Sequence, residues 1–318
     1  MMNHSSANKK AVFDSVHSRE WLRIGIVGTD TSHAVDFTEL LNNKEHPHHV
    51  QGGAVTIAYP GGSPDFGMSI NRVRGFAEKL AESYGVEIAS SPEAVAERCD
   101  AILLEAVDGR VHSELFARIA DYGKPVFIDK PLAVCRADAE MIAETAERAG
   151  VTVMSCSAVR FAEGIAQCLR DVAPDGIVGA DCFGPMDLEP TQPGLFWYGI
   201  HTADMLYALL GRGCRSVRAA SSEGYDMVIG EWADGRIGTL RGNRVGNRKF
   251  GGTVHTKKAT VYVDVYAHAK PYYASMLEQV MAMFRTGAVP VELSETLEII
   301  RFIEAANESR QTGRIVHL

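Results

Sequence analysis

The chain has 318 residues, 46% of them hydrophobic and 23% charged, with a net charge of −8. That length suits two compact domains, and the composition is that of an ordinary globular protein, which sets disorder aside. The acidic balance argues against a nucleic-acid surface, which needs a concentrated basic face, so a small molecule is the expected partner.

Met1 to Glu20 is a polar leader without the apolar core of a signal peptide, and no run approaches the roughly 18 apolar residues of a membrane span. A cytoplasmic protein with no membrane partner is expected. Leu22 to Val27 reads as a buried strand by its apolar density, followed by a turn and a helix carrying Phe37, Leu40 and Leu41. His46-Pro47-His48-His49, ahead of Gly52-Gly53, reads as a solvated loop. Ala54 to Tyr59 is a second strand, and a helix near Ile70 to Tyr84 is stopped by Gly85. Val86 to Ala89 is a short third strand. Ser91-Pro92-Glu93 then gives a helix its cap, its first-turn proline and an early acid. Ala101 to Leu104, a helix from about Val111 to Tyr122, Val126 to Ile128, a helix near Arg136 to Ala149, and Val151 to Met154 complete the alternation. Six strands joined by helices predict a parallel, doubly wound Rossmann sheet over 21–158.

From about residue 160 the pattern changes to strands with few helices between them. These are Gly176 to Phe183, Ser216 to Ser221, Tyr225 to Ala233, Arg236 to Gly242 and Ala259 to Tyr266, with an Asp234-Gly235 turn joining two of them. Helices near His201 to Leu210, Tyr273 to Thr286 and Ser294 to Thr312 would cover one face. The domain over 159–318 is therefore expected to be α+β with a mainly antiparallel sheet. The six cysteines, Cys99, Cys135, Cys156, Cys168, Cys182 and Cys214, form no C-x-x-C pair and read as reduced core residues, so no metal is expected.

Gly25-Ile26-Val27-Gly28-Thr29-Asp30-Thr31-Ser32-His33 is a strand, turn and helix start, where a dinucleotide fold holds pyrophosphate on helix amides. Gly28 supplies the first glycine of G-x-G-x-x-G, but Asp30 and His33 occupy the second and third positions, and Asp30 would repel phosphate. A helix cap explains Asp30 or Thr31 equally well. Strand two ends in Tyr59-Pro60-Gly61-Gly62-Ser63 with no acid for the ribose. Ser63, with Arg72 or Arg74, suits a 2′-phosphate, but a plain turn explains the glycines as well, so NAD and NADP both stay open. Asp129-Lys130-Pro131 follows strand five, at the strand end where ligands bind, and Pro131 bars Lys130 from a regular helix. Tyr198-Gly199-Ile200-His201 opens a helix with Asp204 three residues on, on the same face as His201. A surface lysine and a structural histidine are the plainer alternatives.

In this order and spacing the motifs resemble the glucose-fructose oxidoreductase and inositol dehydrogenase family, Gfo/Idh/MocA. Asp129-Lys130-Pro131 is similar to its Glu-Lys-Pro, His112 to the histidine of its strand-four loop, Gly199-Ile200-His201 to its Gly-x-His, and Ile303 to Val316 to its terminal helix and strand. The resemblance implies an NAD(P)-dependent oxidoreductase acting on a hydroxyl or keto group of a sugar, cyclitol or related polyol. Lys130 would polarise the substrate oxygen and His201 would move the proton. It also implies a homo-oligomer formed on the open face of the second sheet. Cofactor contacts fall on Gly28, Thr29, Asp30, Thr31, Ser32, Ser63, Asp108, His112, Asp129 and Lys130.

One further departure concerns an acid. Trp197 stands where the family often has an aspartate and is expected to line the site, stacking on a sugar or nicotinamide face. Asp108 or Asp204 is a candidate replacement for that carboxylate. The altered loops also suit a non-redox protein on the same scaffold, a lyase or hydrolase with a trapped cofactor or a ligand-binding regulator. The basic stretch Arg241 to Lys258 reads either as an anion site or as an exposed hairpin loop.

Overall fold

The computed structural model describes residues 21–172 and 176–318; the polar leader expected over 1–20 lies outside the described residues. The chain divides into two compact units. One gathers the residues through Ala133, Ala137–Ser155 and Met276–Leu293, and the other Val134–Arg136, Cys156–Ser275 and Ser294–Leu318.

The first unit holds β1 (Leu22–Val27), α1 (Ser32–Asn42), β2 (Gly53–Tyr59), a helical turn Gly67–Ile70, α2 (Val73–Tyr84) and β3 (Glu87–Ile88). It continues with α3 (Pro92–Arg98), β4 (Ala101–Leu104), α4 (His112–Ile119), β5 (Val126–Ile128), α5 (Arg136–Ala149) and β6 (Val153–Ser155). The sheet order is β3-β2-β1-β4-β5-β6. Every pairing is parallel. β4 and β5 are buried along their whole length, as strands covered on both faces must be, which is why they read as unbroken apolar runs. Local signals set the helix ends. Thr31 caps α1 by accepting from the His33 amide, Ser91 caps α3 by accepting from Ala94, and Gly85 closes α2 in the left-handed region. The strand order reverses between β1 and β4, which makes their carboxyl ends the ligand-binding edge of such a sheet.

The second unit carries α6 (Glu163–Asp171), β7 (Ile177–Pro185), α7 (Gly199–Leu210), β8 (Cys214–Ser221), β9 (Tyr225–Trp232), β10 (Ile237–Asn243), β11 (Gly251–Thr256) and β12 (Thr260–Asp264). After α8 (Tyr272–Thr286) come α9 (Leu293–Thr312) and β13 (Val316–His317). Its sheet runs β12-β11-β7-β10-β9-β8-β13. β7 and β10 pair parallel and the other neighbours antiparallel. The Asp234-Gly235 turn joins β9 and β10 with Gly235 at φ +86, and the Gly235 amide donates to Trp232 O at 2.9 Å. Tyr207 of α7 packs on Trp232 of β9 at 5.5 Å and Phe302 of α9 at 5.8 Å, so both helices anchor on one sheet face. The opposite face leaves Tyr225, Ile229, Ile237 and Tyr262 exposed.

Two elements differ from expectation. β11 went unrecognised inside the basic stretch because glycines open it. They are there for space, since a Cβ on Gly251 would stand 2.6 Å from the Phe183 ring and one on Gly252 2.6 Å from Asp181 O. α8, expected to cover the second sheet, instead returns to the first unit from Met276 onward. Leu277, Val280, Met281 and Phe284 are buried there, and Arg285 donates to Gln51 O at 3.1 Å.

Candidate active site

In the first unit the glycine turn after β1 lies against β4. Gly28 has φ +92, and a Cβ on it would stand 2.4 Å from Ala106 N, so only glycine fits. The Gly28 and Thr29 amides extend the sheet by donating to Tyr59 O and Pro60 O at 2.8 Å, and Thr29 Oγ1 donates to Val73 O. Asp30 turns inward rather than toward a phosphate. It is buried and accepts from Ser69 Oγ and from the Val107 amide, tying the loop after β2 to the loop after β4. The sequence reading that Asp30 repels phosphate is thereby corrected, because its carboxylate is spent inside the protein. Ser32 is exposed at the start of α1, where first-turn amides have no intrahelical acceptor.

Among the loops around this edge, Ser63 is buried, and its amide donates to Ser69 Oγ at 2.7 Å. Arg74 pairs with Glu78 at 2.7 Å, while Arg72 donates to Met68 O and lies over Phe76. Neither arginine is directed to Ser63 by these bonds. Asp108 is fully buried and held by Arg110, which also grips Asp65 at 2.8 Å. His112, also buried, has Nε2 2.7 Å from Ala106 O and Nδ1 2.9 Å from Pro131 O, so it pins the loop after β4 to the loop after β5. Asp108 and His112 thus hold the loop after β4 in place.

The loop after β5 places Asp129 3% exposed, with Oδ2 2.7 Å from His33 Nδ1 of α1. Burial alone would raise the Asp129 carboxyl, but His33 and then Lys130 outweigh it and hold it below the usual aspartate range. Glu105, the residue after β4, is completely buried, and neither oxygen has a hydrogen-bond partner. Burial and the charge of Asp129 push Glu105 well above the usual range, against the pull of Lys130. Lys130 itself is half-buried.

In the second unit the first turn of α7 carries His201, whose Nδ1 lies 2.7 Å from Ser157 Oγ. The rings of Tyr198 and Phe250 flank it at 5.6 and 5.5 Å. One turn further along α7, Asp204 accepts from the Ser157 amide and from Arg160, and Arg160 also donates to Glu295 at 2.6 Å. Burial would lower Arg160, but Asp204 and then Glu295 keep it charged. Asp204 is therefore committed to this ion pair, as Asp108 is to Arg110. Trp197 is 8% exposed and meets the edge of Tyr198 at 6.2 Å, so the ring found against His201 is Tyr198. The basic stretch Arg241 to Lys258 is neutralised in part, with Arg244 on Asp226 and Arg248 on Asp187.

Sequence reasoning missed Ser157, which meets His201, Arg160 and Glu295, which hold Asp204, and Glu105. The one signal for Glu105 was an acid ending the apolar run Ala101-Ile102-Leu103-Leu104.

The six-stranded order with a glycine turn feeding α1 defines a dinucleotide-binding Rossmann domain, joined in one chain to a mixed-sheet unit. Residues 22–156 match the GFO_IDH_MocA model, described as an oxidoreductase family with NAD-binding Rossmann fold. An uncharacterized oxidoreductase of Streptococcus pneumoniae serotype 4 is 24% identical over 152 residues, 42% of this chain and 41% of that relative. The match thus spans well under half of that relative's length. Two solved structures share the fold. The apo scyllo-inositol dehydrogenase of Lactobacillus casei has a TM-score of 0.76 at 14% identity, over 94% of this chain and 98% of that one. The myo-inositol 2-dehydrogenase of Lactobacillus plantarum has a TM-score of 0.72 at 16% identity, over 93% and 99%. Over residues 22–156 the chain is thus similar to the NAD-binding domain of the Gfo/Idh/MocA family. No helix among the described residues is long and apolar enough to cross a membrane.

The residues present fit such a cofactor. The one carboxylate in the glycine turn faces inward, leaving the hydroxyl of Ser32 and the α1 first-turn amides other than that of His33, which Thr31 caps, for a pyrophosphate. No acid stands in the turn after β2, and Asp65, the next one along, is held by Arg110.

Proposed function

We propose that this protein is an NAD(P)-dependent oxidoreductase acting on a hydroxyl or keto group of a sugar, cyclitol or related polyol. When bound, the nicotinamide supplies or accepts the hydride. The observation that carries the reading is the buttressed His201. Val159 N donates to Ser157 Oγ at 3.2 Å and fixes that hydroxyl 2.7 Å from His201 Nδ1; the tautomer in which Nδ1–H donates to Ser157 Oγ leaves the Nε2 lone pair for the carbinol proton. A histidine held in one tautomer by a partner is suited to taking a carbinol proton or returning it. Lys130, a cation directly after β5, has the charge to polarise the substrate oxygen as negative charge develops on it. Gly28, Thr31 and Ser32 would hold the cofactor at the start of α1. Thr29, Asp30, Ser63, Asp108, His112 and Asp129 would fix the loops around it.

The exposed Tyr225, Ile229, Ile237 and Tyr262 on the open sheet support a homo-oligomer. Asp204 and Trp197 serve the site through His201 and Tyr198 rather than by touching substrate.

A screen of polyols and cyclitols with NAD and NADP tests the reading. A substrate is expected whose oxidation falls by roughly 100-fold or more in both Lys130→Ala and His201→Ala, with folding retained. If both variants keep near wild-type turnover on a substrate so found, the assignment of these two residues is wrong. Dinucleotide binding without turnover of any polyol would favour the non-redox alternative.

A further inference from the structure

Three side chains with metal-ligating atoms meet at the carboxyl edge of the first sheet. His33 comes from the first turn of α1, Glu105 follows β4 and Asp129 follows β5. One ligand atom from each lies within 4.8 Å of the other two, and all three residues are buried. His33 and Asp129 satisfy one another at 2.7 Å. Glu105 does not share in this, for it is 0% exposed and both its oxygens lack a hydrogen-bond partner. A native fold rarely leaves a carboxyl group dry and unpartnered, since nothing then offsets the cost of taking it out of water. The orphaned group is within reach of a histidine and a second carboxylate, so the cluster lacks a partner for Glu105.

We propose that His33, Glu105 and Asp129 form a binding site for a first-row divalent cation of the zinc or manganese kind. One imidazole nitrogen with two carboxylate oxygens is a donor set these ions accept, whereas a thiolate-seeking ion finds no sulfur in it. Ligands at about 2.0–2.2 Å from an ion lie at most about 4.4 Å apart, close to the spacing of the cluster before any ion draws it in. Two carboxylates match the double charge of the ion once binding releases to solvent the proton shared by His33 and Asp129 and any on Glu105, and the 2.7 Å contact of His33 with Asp129 holds two of the donors side by side in advance. Three protein ligands leave positions for water or for an oxygen of a bound molecule. The proposal does not depend on the hydride-transfer reading, because the site consists of this chain's own side chains.

The test uses the full chain, stripped with a chelator and titrated calorimetrically with zinc and with manganese, followed by the absorption spectrum of the cobalt-loaded protein. One equivalent is expected to bind, and the isosteric Glu105→Gln variant is expected to weaken it at least about 100-fold, more than loss of an outer partner typically does. Cys135→Ser and His48→Ala should leave it unchanged. The cobalt spectrum should show d–d bands without thiolate charge transfer, a readout on wild-type protein that stands even if Glu105→Gln fails to fold. Absence of binding, equal binding by Glu105→Gln, or a thiolate band in the cobalt spectrum would overturn the proposal.

Discussion

Ser157 Oγ stands 2.7 Å from His201 Nδ1 while the Ser157 backbone amide donates to Asp204, so one residue holds both polar side chains of the α7 face. The two bonds are separable, because substitution of the side chain leaves the amide in place. Ser157→Ala is expected to slow turnover roughly 10-fold with little change in KM, against roughly 100-fold or more for His201→Ala. Steady-state kinetics on the substrate found by screening checks this. Unchanged kcat in Ser157→Ala would show that His201 needs no such partner.

The Arg160 side chain is 9% exposed and that of Asp204 3%, so the pair is held away from water. Removing one member strands the other charge. Arg160→Leu is expected to cost about 3–5 kcal/mol of unfolding free energy, read from urea denaturation. A loss below about 1 kcal/mol, the range of exposed pairs, would mean that solvent reaches Asp204 and Glu295.

Trp197 packs against Tyr198 and is nearly sealed from solvent. Trp197→Ala is expected to cost about 3–5 kcal/mol, and Trp197→Phe distinctly less. Dinucleotide affinity in the folded fraction should be unaffected. Weakened affinity with intact stability would restore the ring-stacking role that its position in the sequence suggests.

On the open face of the second sheet, Asp181 Oδ2 lies 2.7 Å from His255 Nε2, and Asp181 also accepts from Thr239 and Thr253. Partial burial would raise its carboxyl, but the bonds from Thr239 and His255 outweigh that and lower it. A carboxyl lowered in the folded state lends stability above its unfolded value, about 3.9, and that stability is lost as pH falls through the folded value. Asp181→Asn should therefore be less stable than wild type near neutrality, with the gap closing below pH of about 4. A gap independent of pH from neutrality to pH of about 3 would show that the carboxylate charge contributes nothing.

The Rossmann half was legible because its information is local. Ser91-Pro92-Glu93 starts a helix, Gly85 ends one, and Ala101 to Leu104 can only be a strand buried on both faces. Where spacing packs residues closely, as at Gly199-Ile200-His201, the candidate residue was legible too. Its supports were not. Ser157 and Arg160 come from the segment after β6 and Glu295 from α9, and no periodicity links them to His201. His33, from the first turn of α1, and Glu105 and Asp129, from the ends of β4 and β5, are likewise far apart in the chain, so no sequence spacing links them. Asp30 misled for a related reason. Its position in the glycine turn suggests a charge aimed at phosphate, but its partners, Ser69 and Val107, lie in other loops and turn it inward. β11 was hidden because its glycines answer to the side chain of Phe183 and the backbone of Asp181 on the neighbouring strand.

The central claim is that the glycine turn and the start of α1 still hold a nicotinamide dinucleotide, and calorimetric titration of the full chain with NAD and with NADP tests it most directly. One equivalent of at least one of them should bind, and at a concentration of about 100 times Kd it should add roughly 2.7 kcal/mol to stability. Binding should be lost in Gly28→Ala, where a Cβ would press on Ala106 N. No heat and no stabilisation from either dinucleotide, on protein shown to carry none already, would contradict the account.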